Sequence, residues 1–350
     1  MKKPQVLILY NKIFHYRIPI WNLLANKCDL TIAYSEGEVP DGIHREFEVK
    51  YIPYKKIGPI VWHQGNIRKM SQKYDAVIAY GDILWLKYML LAWYNKTRVA
   101  FWTIGVTTSE GYDSRPQKDP FFRFFYKRAD AMIFYSEDPI EKYVRHGFRK
   151  EGLFVANNTV EVLDIPIPTT KDYITFIGTL HKRKGLYLLL NAYLELRDVC
   201  PLPKLIIIGN GPEYDNIANW IIQNEMAGMI EMKGHIIDAQ DKAEILSHAL
   251  ACISPKQAGL SVLECMGYGV PFVTTKDAIT GGERFNIHDG VDGVIMDDVS
   301  QLRDVVLDIA LHKDKYIEMG HRARCYYYEN RLPQQMADSL WDAICFLIKK

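Results

Sequence analysis

FIGTLHKRKGLYLLLNAYLEL, residues Phe176–Leu196, decides the fold class. An apolar run ends at Gly178, a basic turn follows, and Lys184-Gly185 opens a segment with apolar residues at helical spacing. A strand that stops at a glycine and continues as a helix is the repeating unit of an α/β sheet. The same change of period occurs in KLIIIGNGPEYDNI, Lys204–Ile217, and where LACIS passes through Gly259 into LSVLECMGYG. Other strand-like runs are QVLILY, DLTIAYS, DAVIAYG, RVAFWTIG and DAMIFYS in the first half, and YITFIG, IEMKGH and PFVTT in the second. Continuous apolar runs of this kind suit parallel strands covered on both faces by helices, joined by right-handed crossovers.

The chain has 350 residues, 48% of them hydrophobic, enough for about two domains with separate cores. A break is expected in VEVLDIPIPTTKD, Val160–Asp172, which has two prolines and no helical period. Residues 1–163 and 164–334 are therefore read as two doubly wound domains, with 335–350 as a terminal helix. Forty-three basic residues against forty-two acidic ones leave no general field for nucleic acid, so an anion site must be local. The six cysteines form no CxxC pair, which reads as free thiols in a reducing cytosol. The longest apolar stretch, ILWLKYMLLAWY, runs to about a dozen residues around Lys87, short of the ~20 a spanning helix needs.

Four motifs could carry chemistry. In the first, backbone amides at the helix start, with Arg183 and Lys184 beside them, suit a phosphate; a solvated basic loop is the competing reading. The second, with Gly209 and Gly211, lacks the third glycine and the later acid of a nicotinamide fingerprint. It reads as a tight turn where a base or phosphate approaches the backbone, or as a plain strand-to-helix turn. In the third, SPKQAGLSVLECMGYGVP, Ser254–Pro271, the amides of Gly259 and Leu260 suit phosphate oxygens and Glu264 suits ribose hydroxyls. In the fourth, AITGGERFNIHDGVDGVIM, Gly281 and Gly282 bring amides close to a sugar and Glu283 offers a carboxylate.

Together, in this order within about 120 residues, these blocks resemble the retaining glycosyltransferases of family 4, with the GT-B fold: two Rossmann-like domains facing a cleft and a last helix crossing back to the first. The resemblance extends more loosely into NKIFHYRIPIWNLLA and RADAMIFYSE. It implies that Arg183 and Lys184 hold the diphosphate of a nucleotide sugar, with Gly178, Gly209 and Gly211 nearby. Glu264 would take the ribose, Gly259 and Leu260 would assist the phosphate, and Glu283 with Gly281 and Gly282 would lie near the donor sugar. His15 and Arg17 would lie on the acceptor side. The expected reaction is retaining transfer from a UDP-sugar to a glycan or polyprenyl-linked saccharide in surface polysaccharide assembly, with no metal and no cofactor. A nucleotide-sugar epimerase and a silent nucleotide-sugar-binding protein are the alternatives.

Three positions depart from the family pattern. Lys256 stands where relatives place a glutamate, Thr179 where they place an arginine, and Ile104 where a histidine is common. Lys256 then has three readings: turned to solvent, an extra cation near the diphosphate, or a partner for an acidic sugar. The aromatic and basic stretches KYMLLAWYNKTR and PFFRFFYKRADAM suggest either ordinary core packing or peripheral contact of a cytoplasmic protein with an anionic bilayer.

Overall fold

The computed structural model describes residues 2–94, 98–108, 112–115, 119–236 and 238–349. The chain divides into two compact units, one built from 1–107, 113–160 and 332–350, the other from 108–112 and 161–331.

The first unit holds strands β1 (Gln5–Leu9), β2 (Asp29–Tyr34), β3 (Glu48–Tyr51), a hairpin of β4 (Tyr54–Ile57) and β5 (Ile60–His63), then β6 (Ala76–Tyr80), β7 (Val99–Thr103), β8 (Ala131–Phe134) and β9 (Leu153–Val155). Its main sheet is parallel throughout, in the order β3-β2-β1-β6-β7-β8-β9. Alternation sends Val6 and Ile8 into one core and Leu7 and Leu9 into another on the opposite face, so β1 is fully apolar past Gln5. The last helix, Pro333–Lys349, belongs to this unit. Its Met336, Leu340, Ile344 and Leu347 are buried in the same core as Val6, Ile8 and Trp21.

The second unit holds β10 (Tyr173–Ile177), β11 (Lys204–Ile208), β12 (Ile230–Gly234), β13 (Ala249–Ile253), the short β14 (Gln257–Ala258), β15 (Phe272–Thr275), the short β16 (Ile279–Thr280) and β17 (Gly293–Met296). Six of these form a parallel sheet in the order β12-β11-β10-β13-β15-β17, while β14 pairs with β16. Strand order reverses between β10 and β13, which are hydrogen-bonded neighbours. The crevice beyond their C-terminal ends is where open sheets of this kind take ligands. Two of the motifs read from the sequence begin there. All six cysteines are free thiols.

Candidate functional site

Beyond β10 the chain turns at Gly178, passes through the short 3-10 helix Lys182–Lys184 and enters the helix Leu186–Leu196 through Gly185. Gly185 has φ 73°, a left-handed conformation that glycine adopts without a Cβ penalty. Lys184 folds back over the strand end: a Cβ placed on Gly178 would lie 2.1 Å from its Nζ. Burial of this amine, with Arg183 alongside, lowers its pKa despite an opposing effect of Cys252.

Lys256, in the turn after β13, lies against this structure. Its backbone N–H donates to Lys184 O at 3.3 Å, and a Cβ on Gly185 would sit 3.1 Å from its Cγ. Lys256 itself is exposed, as are Lys182 and Arg183. None of Lys182, Arg183, Lys184 and Lys256 pairs with a carboxylate among the described residues. Four cations without a counter-charge thus gather at the point where the sheet reverses. Of the three readings of Lys256, this placement favours the extra cation beside the basic turn. The turn carrying it is fastened from below, where the Thr274 and Thr275 hydroxyls donate to the carbonyls of Ser254 and Pro255 at 2.8 Å each.

The GNGP turn packs closely on the turn after β10. A Cβ on Gly209 would lie 2.0 Å from Gly178 O, and one on Gly211 would lie 2.6 Å from Leu180 O. Leu180 N donates to Asn210 O at 2.9 Å, so the two turns are knitted together. At Gly209 and Gly211 the chain itself approaches too closely for a Cβ. Around Gly259, by contrast, a Cβ would meet nothing within 4 Å, just ahead of the helix Ser261–Gly267.

Glu264 lies on that helix, half-buried, and its Oε1 accepts from Lys242 Nζ at 2.6 Å. Lys242 escaped the sequence reading. It sits on the helix Ala239–Ser247, 22 positions upstream, in a run of ordinary surface character, and only the packing of the two helices brings the charges together.

Glu283 is held by its own loop. Its carboxylate turns back on its own loop, where Oε2 accepts from Gly281 N at 2.9 Å and Thr280 Oγ1 at 3.2 Å. Thr280 Oγ1 in turn accepts from the amides of Gly282 and Arg284. At 6% exposure, Glu283 braces the Gly281-Gly282 turn. Gly282 holds φ 121° at the foot of that turn.

Arg17 in the first unit is likewise not an open contact. It is 2% exposed and packs near the rings of Tyr16, Trp102 and Tyr135, and its guanidinium donates to Asn158 Oδ1 at 2.7 Å and Met336 Sδ at 3.2 Å. Burial would lower its pKa, but Tyr10, Tyr135 and Tyr16 outweigh that and leave it raised, so it stays charged. Arg17 joins the loop after β1 to the last helix. His15, two residues earlier, is exposed and borders a groove with Lys12, Phe14 and Glu38.

Residues 171–311 match the family model described as Glycosyl transferases group 1. Over 272 residues, 69% of this chain, the protein is 21% identical to trehalose synthase of Thermococcus litoralis, and the match spans 63% of that relative's length. Among solved structures, Anabaena HepE in complex with UDP has a TM-score of 0.71 at 13% identity, covering 99% of this chain and 100% of that one. A glycosyltransferase from Rickettsia africae has a TM-score of 0.73 at 13% identity, with all of both chains covered. The architecture is GT-B, with a Rossmann-like sheet in each unit.

Proposed function

We propose, for a GT-B chain whose residues 171–311 match the group 1 glycosyl transferases, that this protein is a glycosyltransferase using a nucleoside-diphosphate sugar. UDP is the favoured nucleotide, since HepE is solved with it. The observation that carries the reading is the unpaired set Lys182, Arg183, Lys184 and Lys256 at the reversal of the second sheet. A diphosphate supplies the missing negative charge. Lys184 is pre-positioned over Gly178, so its order is already present before the ligand arrives.

In this reading the second unit holds the donor and the first receives the acceptor, a glycan or lipid-linked saccharide of surface polysaccharide assembly. Glu264 accepts the ribose hydroxyls, held in place by Lys242. The amides of Gly259 and Leu260 reach phosphate oxygens. As the bond from the anomeric carbon to the phosphate oxygen breaks, negative charge grows on the leaving diphosphate. Fixed cations stabilise that charge without reorganising. Retention follows if the acceptor attacks from the face the diphosphate leaves, its hydroxyl proton passing to the departing phosphate oxygen. The four cations take the place of a divalent metal, so transfer should persist in EDTA.

The test is a panel of nucleotide sugars, read by thermal shift and by slow hydrolysis. A donor at a hundred times its Kd stabilises by about 2.7 kcal/mol, enough to single it out. Conversion of the sugar without acceptor would point instead to an epimerase. No shift with any donor would defeat the reading.

A further inference from the structure

The sheet of the first unit ends at an open edge. β3 pairs with β2 on one side only, and all four of its residues are exposed, Val49 at 40% and Tyr51 at 53%. The other sheet ends differ among the described residues. β9 is half-buried at each of its three positions, β17 buries Gly293 and Met296, and β12 holds Glu231 between Lys204 and Lys233. An exposed edge is a template for another strand, and natural edges are commonly blunted by a bulge, a proline or a guarding lysine. β3 has no proline and runs in unbroken register with β2. Its lysine, Lys50, stands two positions from Glu48 on the same face, so a matching strand can neutralise it.

Which groups face outward follows from the ladder. Ile52 N donates to Tyr34 O at 2.7 Å, toward β2. In a parallel pair alternate residues send both peptide groups to the same neighbour, so Glu48 and Lys50 also face β2. The N–H and C=O of Val49 and Tyr51 therefore point away from the sheet. Side chains alternate as well. Val49 and Tyr51 share the face of Tyr34, whose ring lies 5.5 Å from that of Tyr51, while Glu48 and Lys50 occupy the opposite face.

A second copy of the chain fits this edge in one register. Two antiparallel β3 strands about a two-fold axis must bring their outward peptide groups together. An axis at Val49 lets the two Val49 residues exchange both hydrogen bonds. Glu48 then lies opposite Lys50 of the second copy, twice, and Tyr51 lies opposite Phe47 on the apolar face. An axis at Tyr51 would set Val49 against Pro53, which has no N–H to give. An axis at Lys50 would set two lysines face to face.

We propose that the protein forms an isologous dimer through β3, joining the first sheets of two copies into one continuous sheet. Charge complementarity selects a second copy as occupant. Neither Glu48 nor Lys50 is ion-paired among the described residues, and each meets its opposite across the two-fold axis. The edge offers far fewer residues than the ~20–30 a side of a standard interface, so the dimer is weak, with a Kd of about 100 μM. The inference does not depend on the proposed donor site, which lies in the second unit.

The experiment is sedimentation equilibrium of the full chain over a concentration series reaching about 1 mM, where a monomer–dimer equilibrium is expected. Val49→Pro removes an outward N–H and leaves the bonds to β2 intact, and should weaken dimerisation about tenfold or more. Glu48→Lys sets like charges opposite each other at both pairs and should weaken it about tenfold. Adding Lys50→Glu to Glu48→Lys should restore the wild-type constant, because the exchanged charges match again. All these variants should keep the wild-type thermal transition, since the altered side chains are already in water. Glu48→Lys and its rescue give an independent reading if the proline variant misfolds. A monomer throughout the series overturns the proposal. So does a dimer that Glu48→Lys leaves unchanged or that Lys50→Glu fails to rescue, which would place the contact elsewhere. A mass that grows past two copies overturns it too, since pairing would then be open-ended.

Discussion

At the scale of the residue, the proposed donor site is a matter of which charges are neutralised within the protein and which are not. Glu264 is neutralised by Lys242 at 2.6 Å, with the two side chains 13% and 23% exposed. Breaking one half of a partly desolvated pair leaves the other uncompensated. Lys242→Met should therefore cost about 1–2 kcal/mol of stability and raise the Kd for the nucleotide donor, whereas the double change with Glu264→Gln should cost less than the sum. Urea unfolding of the four proteins gives that cycle. Lys184 has no such partner. Lys184→Met should leave stability nearly unchanged or slightly higher, since burial already disfavours its charge. It should weaken UDP binding about tenfold to a hundredfold, the worth of a charge-assisted hydrogen bond, as measured by calorimetry. The basic character of this turn was legible in KRK. That Lys256 belongs to it was not, because 72 positions separate it from Lys184 and the contact is a tertiary one.

Elements reveal what the glycines and buried lysines are for. Gly209→Ala should cost about 3 kcal/mol or more, because its Cβ would meet Gly178 O at 2.0 Å and the backbone has φ 143°. Differential scanning calorimetry checks this. Gly259→Ala, with nothing within 4 Å, should be tolerated by the fold. Lys171, just before β10, donates to Gly269 O at 2.5 Å, and burial pushes its pKa from 10.5 down to about 8. Between those two values the unfolded chain binds more protons than the folded one, so stability rises with pH across that window and is lower below it. In Lys171→Met that rise should be diminished, a difference seen by urea unfolding at pH 7 and pH 10. Most of the main strands were legible as continuous apolar runs, though β17 (Gly293–Met296) was read only as part of a glycine-rich block. The edge strand β3, exposed at all four positions, and the three-residue β9 were not, because their pairing is supplied by neighbours and not by their own side chains.

At the scale of the whole molecule, the chain leaves its first unit and comes back to it. The helix Pro333–Lys349 buries Met336, Ala337, Leu340, Ala343, Ile344 and Leu347 in the first unit. Six buried apolar side chains at about 1.5–3 kcal/mol each for the larger ones approach the whole stability of a domain. A chain ending at Arg331 should therefore lose the ordered first unit, with a lower circular-dichroism signal and strong ANS binding, while the second sheet survives. The helical period and basic end of this segment identify it as a helix, but period alone cannot say which core it covers. The α/β class, the strand-to-helix turns and the basic loop after Gly178 were determined by the sequence, since they depend on spacing and residue type along a few consecutive positions. Only the tertiary structure decided that Lys256 joins the basic turn, that Lys242 holds Glu264, and that Glu283 braces a loop. The first two depend on which segments the sheets and helices bring together and the third on the path of its own loop; burial and pairing, not residue type, determine what a charge can do.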